Sequence, residues 1–200
     1  AAQITRLLER SLLADDVKAI LLRGPDVHST IAALGLPKDE ELPAFENALM
    51  RVFLEDVAGL ELEPALKTFF TEFTDLRNVM LLYKHLRWSL AGRCRFVSGG
   101  SVELSLLEEI AQQRDDVAYD ALLRRVIGVT TVSVAASEGA LETILLRSMT
   151  NRLLKNRHAA GDLALIVVYV WRLYVQARNL AVLHHGTRIE QRTLERELIL

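Results

Sequence analysis

Few side chains in this sequence combine the types and the spacing that chemistry needs. Gly99-Gly100-Ser101 opens a helix-like stretch, and the free N–H groups at a helix start can hold a phosphate. The G-x-G-x-x-G and G-x-x-x-x-G-K-[ST] frameworks and a preceding strand are missing, so a structural turn is the better reading. His184 and His185 are adjacent and diverge by about 100° on a helix, so they cannot chelate one metal without unwinding it. Glu72 with Asp75, and Glu108 with Glu109, have no companions that suggest an acid/base pair. They read as solvated carboxylates. Cys94 lies between Arg93 and Arg95, whose charges would lower its pKa, but no histidine context marks it as a nucleophile. No catalytic group, cofactor site or metal site is expected.

Two polar stripes are more informative. Within Leu66 to Arg87, Thr71, Asp75 and Asn78 recur at i, i+4 and i+7 on an otherwise apolar helix. Arg172, Gln176 and Asn179 repeat that spacing in a second apolar stretch. At an offset of 101, Arg77 falls on Arg178, Asn78 on Asn179, Leu82 on Leu183 and Arg87 on Arg188. An asparagine buried without hydrogen bonds costs roughly 1–3 kcal/mol. Each stripe therefore braces a neighbouring element, or lines a polar concavity that receives a partner.

The elements that carry these residues read as helices. Ile4 to Leu12, Val17 to Arg23 and Val27 to Leu34 are three short ones. P-K-D-E-E-L-P is a charged, Pro-bounded linker. A helix from Pro43 stops at Gly59, and a long one runs from Pro64 to about Leu90. Ser101 is the expected N-cap of Val102 to Gln112, and Asp115-Asp116 caps a helix through Ile127. Gly128 to Ala136 is β-branched but has no strand to pair with, so it reads as a loop or a poor helix. Helices over Glu138 to Lys155 and Asp162 to His184 follow, the latter ended by Gly186. Thr187-Arg-Ile-Glu190 is a capping-box pattern that starts a final helix to the C-terminus. Both long helices are apolar on most faces, and such helices are expected to be buried on nearly all sides. Leu163 to Trp171, the longest apolar run, is expected to be core. It is shorter than the roughly 20 residues a membrane span needs.

Composition sets the outer bounds. The 200 residues are 50% hydrophobic and 25% charged, which suits a globular protein with a sizeable core. A net charge of −2 argues against nucleic-acid binding. The single cysteine excludes an internal disulfide. The N-terminal stretch lacks the pattern of a signal peptide. It starts directly in helix-like sequence without Met, and an N-terminal portion is expected to be missing.

D-L-R-N-V-M-L-L-Y-K-H-L-R-W-S-L-A-G followed by F-V-S-G-G-S-V-E-L-S-L-L resembles the C-type subunit of prokaryotic V/A-type rotary ATPases, the counterpart of the d-type subunit of eukaryotic V-ATPases. The pattern rests on Asp75, Asn78, Val79, a basic residue at Lys84 or Arg87, Gly92 and Gly99-Gly100. Its last copy is matched by Arg178, Asn179, Leu180 and Gly186. Gln176 replaces the usual acid, and His184-His185 stands where a basic residue is common. The resemblance covers about Leu42 to the C-terminus.

The resemblance implies an all-α, funnel-like protein built from pseudo-repeated helical units. Residues 1–41 would be the remnant of a preceding unit, 42–100 a unit with the first R-N helix and 101–200 a unit with the second. The family has three such units, and about two are present. The protein would be a non-catalytic coupling subunit of an H+ or Na+ transporting ATPase or ATP synthase. It would lie on the cytoplasmic face of the membrane and link the central axle to the membrane rotor ring, without spanning the membrane itself. Asp75, Asn78, Gly99, Gly100, Asn179 and Gly186 would be structural motif residues. Arg77, Arg172 and Arg178 are the candidates for a charged, partner-facing surface. The alternatives are a helical adaptor that binds a partner helix, and a helical-bundle enzyme with substrate between the Asn78 and Asn179 helices.

Overall fold

The computed structural model describes residues 15, 18–19, 42–88, 94–128, 137–156, 161–186 and 198–199, with the backbone alone for 42–49 and 185. Among these the protein is all-α: α1 (Leu42–Ala58), α2 (Pro64–Trp88), α3 (Leu104–Gln113), α4 (Asp116–Ile127), α5 (Glu138–Asn156) and α6 (Gly161–His185). Of the early helices expected before residue 35 only Asp15, Lys18 and Ala19 are described, each of them helical, and of the β-branched segment Gly128 to Ala136 only Gly128 is described. No helix among the described residues is long and apolar enough to cross a membrane.

The chain divides into two compact units, Ala1–Asp56 and Val57–Leu200. This division does not coincide with the expected boundaries after residues 41 and 100. Within the second unit, Val79 and Leu82 of α2 share one core cluster with Leu107 of α3, Leu123 of α4, Met149 of α5 and Trp171 of α6. Residues before and after 100 are thus joined by a common core.

Several starts and stops in this unit have a local cause. Pro64 begins α2, where its fixed φ suits the helix and its missing N–H is not needed. The Glu63 carbonyl accepts the first helical bond, from Lys67 N at 2.9 Å. His85 and Arg87 fall in the last turn, where positive charge suits the exposed carbonyls. Asp115 caps α4 as expected, its Oδ1 accepting from Val117 N and Ala118 N at 2.9 Å each. Ser137 caps α5, a cap not expected from the sequence: Ala140 N donates to its Oγ at 3.3 Å.

Ser101 is not the N-cap of α3. The helix begins at Leu104 with Glu103 at the cap position and no side-chain cap bond. The Ser101 hydroxyl and the Val102 N–H are both directed to Asp75 of α2, and this tertiary bond displaces the local cap. The final helix expected from Thr187 lies outside the described residues apart from Leu198 and Ile199, which are not helical.

Leu82, Leu107 and Leu123 are fully buried. Each such side chain contributes about 1.5–3 kcal/mol through removal from water. Trp171 ties α6 to α2 and α5. Its ring meets Phe69 and Phe73 edge-on at 5.9 and 6.4 Å, and its Nε1 donates to Thr150 Oγ1 at 2.8 Å. Thr150 in turn donates to the Leu146 carbonyl at 2.8 Å, so the buried indole N–H joins a satisfied chain.

The expectation that α6 is buried on nearly all sides is overturned. Ala164, Val167, Val168, Trp171 and Val175 face the interior. Leu165, Ile166, Tyr169, Val170, Leu173 and Leu180 are exposed. The helix packs on α2 and α5 with one face only. Its opposite face is equally apolar and open, so Leu163 to Trp171 is core on just one side.

Candidate functional site

The residues that carry the polar stripe of α2 meet the segment that follows the helix. Asn78 is 1% exposed. Its Nδ2 donates to the Val97 carbonyl at 2.8 Å, and its Oδ1 accepts from the Val97 N–H at 2.8 Å. One side-chain amide thus satisfies both backbone groups of a residue in a non-helical connector, as a neighbouring strand would. One helical turn earlier, Asp75 Oδ2 accepts from Ser101 Oγ at 2.5 Å and Oδ1 accepts from Val102 N at 3.0 Å. The carboxylate therefore fills the anion position that the glycine turn offers. A phosphate held by the Val102 N–H would have to displace it.

Both glycines are required by space. A Cβ on Gly100 would lie 2.3 Å from Asp75 Oδ1, and one on Gly99 would lie 2.6 Å from the Ala58 Cβ. Gly99 also has a φ of 93°, in the left-handed region that side chains disfavour. Asp75, Asn78, Gly99 and Gly100, separated in sequence, are one structural device.

The second stripe makes the same clasp. Asn179 Nδ2 donates to the Ile199 carbonyl at 2.8 Å, and Asn179 Oδ1 accepts from the Ile199 N–H at 3.1 Å. Val97 and Ile199, the clasped residues, are both buried apolar residues. Arg147 of α5 adds a bond from Nη2 to the Leu198 carbonyl at 2.5 Å. Gln176, at the position offset by 101 from Asp75, is exposed and supplies no carboxylate. Gly186 is buried directly after α6.

The arginines do not form one charged surface. Arg178 has a side chain 13% exposed and gives Nη2 to Glu142 Oε2 and Thr143 Oγ1, each at 3.2 Å. It is an internal brace between α6 and α5, which corrects its expected place on a free surface. Arg77 is half-buried, and burial lowers its pKa from the ordinary guanidinium value while Tyr174 opposes that shift. Arg172 is exposed.

The remaining candidates are individually quiet. Burial pushes the Cys94 thiol above its usual pKa, the reverse of the effect expected from Arg93 and Arg95. Among the described residues, no three His, Cys, Asp or Glu side chains are grouped to hold a metal. Glu72 is not a solvated carboxylate. Its side chain is mostly buried beside Arg152, with Oε2 3.3 Å from Nε. Burial raises its pKa, Arg152 lowers it, and Asp75 raises it again. Comparison with protein-family models, curated proteins and solved structures gave no match.

Proposed function

We propose that this chain is a non-catalytic coupling subunit of a V/A-type H+ or Na+ transporting ATPase or ATP synthase. In this reading it sits at the cytoplasmic face of the membrane and links the central axle to the rotor ring. The observation that carries the reading is the doubled asparagine clasp. The residues on which the resemblance rests are the ones that lock each long helix to the segment after it. Asn78 holds Val97 and Asn179 holds Ile199, by the same two bonds. Such doubling is what pseudo-repeated helical units in a funnel would have. Torque transmission needs closely packed, unyielding helices, and a clasp from each long helix to the segment after it supplies stiffness between the two.

The partner-facing surface in this reading is the open side of α6 rather than a charged arginine face. Ile166, Val170, Leu173, Ala177 and Leu180 follow a 4-3-4-3 spacing, the seam that a coiled-coil helix packs against. The same seam favours a second reading, a helical adaptor that takes a partner helix. Affinity capture of the full-length protein from its source cell at low salt separates the two. Recovery of axle and ring subunits, lost with Leu173→Glu, is the expected result. Recovery of other helical proteins in their place transfers the assignment to the adaptor. Persistence of axle capture with Leu173→Glu overturns the assignment of the α6 face.

A further inference from the structure

A cleft of about 440 Å³ opens where α2, the Ser101 turn, α4 and α5 come together. That volume lies within the roughly 300–1,000 Å³ of small-molecule sites. Lys67, Arg125 and Arg152 stand in its walls beside the hydroxyls of Thr68 and Thr71. Lys67 and Arg125 are exposed and belong to none of the ion pairs among the described residues. Arg152 is fixed in place, because a guanidinium nitrogen, Nη1, donates to the Val126 carbonyl at 2.7 Å.

Two carboxylates share the cleft. Both oxygens of Asp75 are already engaged by Ser101 and Val102. Glu72 is engaged more loosely. Its Oε2 lies 3.3 Å from Arg152 Nε, yet neither buried atom has a hydrogen-bond partner, so the pair attracts without being aligned. Three cations and two hydroxyls would draw a compact oxyanion to this place. The carboxylate of Glu72 sets a further condition. An oxyanion without a proton would set lone pairs against it, whereas one that carries an O–H can donate to it.

We propose that this cleft binds a protonated phosphate group, held by Lys67, Arg125 and Arg152, with Glu72 accepting the phosphate's own proton. The group is inorganic hydrogen phosphate or the monoanion of a small phosphomonoester, which holds its proton below a pKa of about 6. Sulfate has nearly the same size and charge but carries no proton near neutral pH, so the cleft rejects it. The selectivity depends on an ionised Glu72. Arg152, Asp75, Lys67 and Arg125 are the charged groups that share the cleft with it. Burial raises its pKa, so selectivity is present above that raised value. It disappears as pH falls through it, when Glu72 brings a proton of its own and sulfate is accepted.

Titration calorimetry of the full chain at constant ionic strength tests this with inorganic phosphate, glycerol 3-phosphate and sulfate. One of the two phosphates should bind at least about tenfold tighter than sulfate near neutral pH. The tighter of the two identifies the source of the group. Glu72→Gln should bring phosphate and sulfate to within about threefold of each other, at a circular-dichroism spectrum that shows an intact fold. Lys67→Glu and Arg125→Glu change exposed residues, so they should leave the fold intact and weaken phosphate binding about tenfold or more. No phosphate binding at millimolar concentration, equal affinity for sulfate, or indifference to both Lys67→Glu and Arg125→Glu overturns the proposal.

Discussion

Asn78 and Val97 exchange two hydrogen bonds of 2.8 Å each, so a side chain in the middle of α2 completes the backbone of a residue 19 positions later. Both partners are buried. Removing the amide leaves an N–H and a carbonyl without partners, and each such group costs roughly 1–3 kcal/mol. Asn78→Leu is expected to lower unfolding free energy by about 2 kcal/mol or more, read from urea denaturation. Asn179→Leu makes the same deletion at a half-buried site, where water can partly replace the amide, so its loss should be smaller. Equal losses at the two sites would mean that the clasps do not differ in access to water.

Gly100 and Asp75 are matched by shape. A methyl at Gly100 would overlap Asp75 Oδ1, and Asp75 cannot retreat without releasing Ser101 and Val102. Gly100→Ala should therefore cost about 1–3 kcal/mol. Because the clash is with one side chain, Asp75→Ala and Gly100→Ala should be coupled. Together they should cost less than the sum of their separate effects, by about 0.5 kcal/mol or more in a double-mutant cycle. Strict additivity would place the clash elsewhere.

The helices were legible in the sequence for local reasons, and the site was legible only in part. Pro64 and Asp115 punctuate the chain through φ restriction and side-chain capping, both of which act within a few residues. The equivalence of Asn78 and Asn179 was visible because both follow the same stripe. Their partners were not, since nothing near Asn78 in sequence points to Val97. Ser101 shows the limit well. Locally it is a good cap, and only the approach of Asp75 from 26 residues away redirects its hydroxyl. Arg178 read as partner-facing because the resemblance calls for a charged contact surface, but Glu142 and Thr143 of α5 take its guanidinium. The open face of α6 was hidden by composition. When both sides of a helix are apolar, periodicity no longer tells which side is covered.

Glu72 should leave a mark on the pH dependence of stability. Burial raises its folded pKa above the unfolded value near 4.5. The folded state then holds the proton more tightly than the unfolded state. The resulting stability is fully present below the unfolded pKa and is lost as pH rises through the folded pKa. Glu72→Gln has no proton to lose. Its melting temperature relative to the wild type should therefore rise as pH increases from about 4.5 through the folded pKa of Glu72. A wild-type and a variant profile that run parallel across this range would refute the assignment.

The two sides of α6 give the sharpest comparison, because the sequence places the same residue type on each. Val168 is 8% exposed and faces the interior, whereas Val170 is 58% exposed and lies on the open seam. Val168→Asp puts a carboxylate among apolar side chains without a partner, and should destabilise the protein by roughly 3 kcal/mol or more. Val170→Asp puts the same carboxylate into water and should shift stability by no more than about 0.5 kcal/mol. Helix propensity does not separate the two sites, since both lie well inside α6 and lose the same β-branched side chain. Any difference therefore measures burial. The seam variant carries a second expectation. Apolar exposure of this kind promotes association, so Val170→Asp should raise the concentration at which the protein stays dispersed, measured by light scattering. If Val170→Asp unfolds the protein as readily as Val168→Asp, the outer face of α6 is covered, and the coupling and adaptor readings both lose their docking surface.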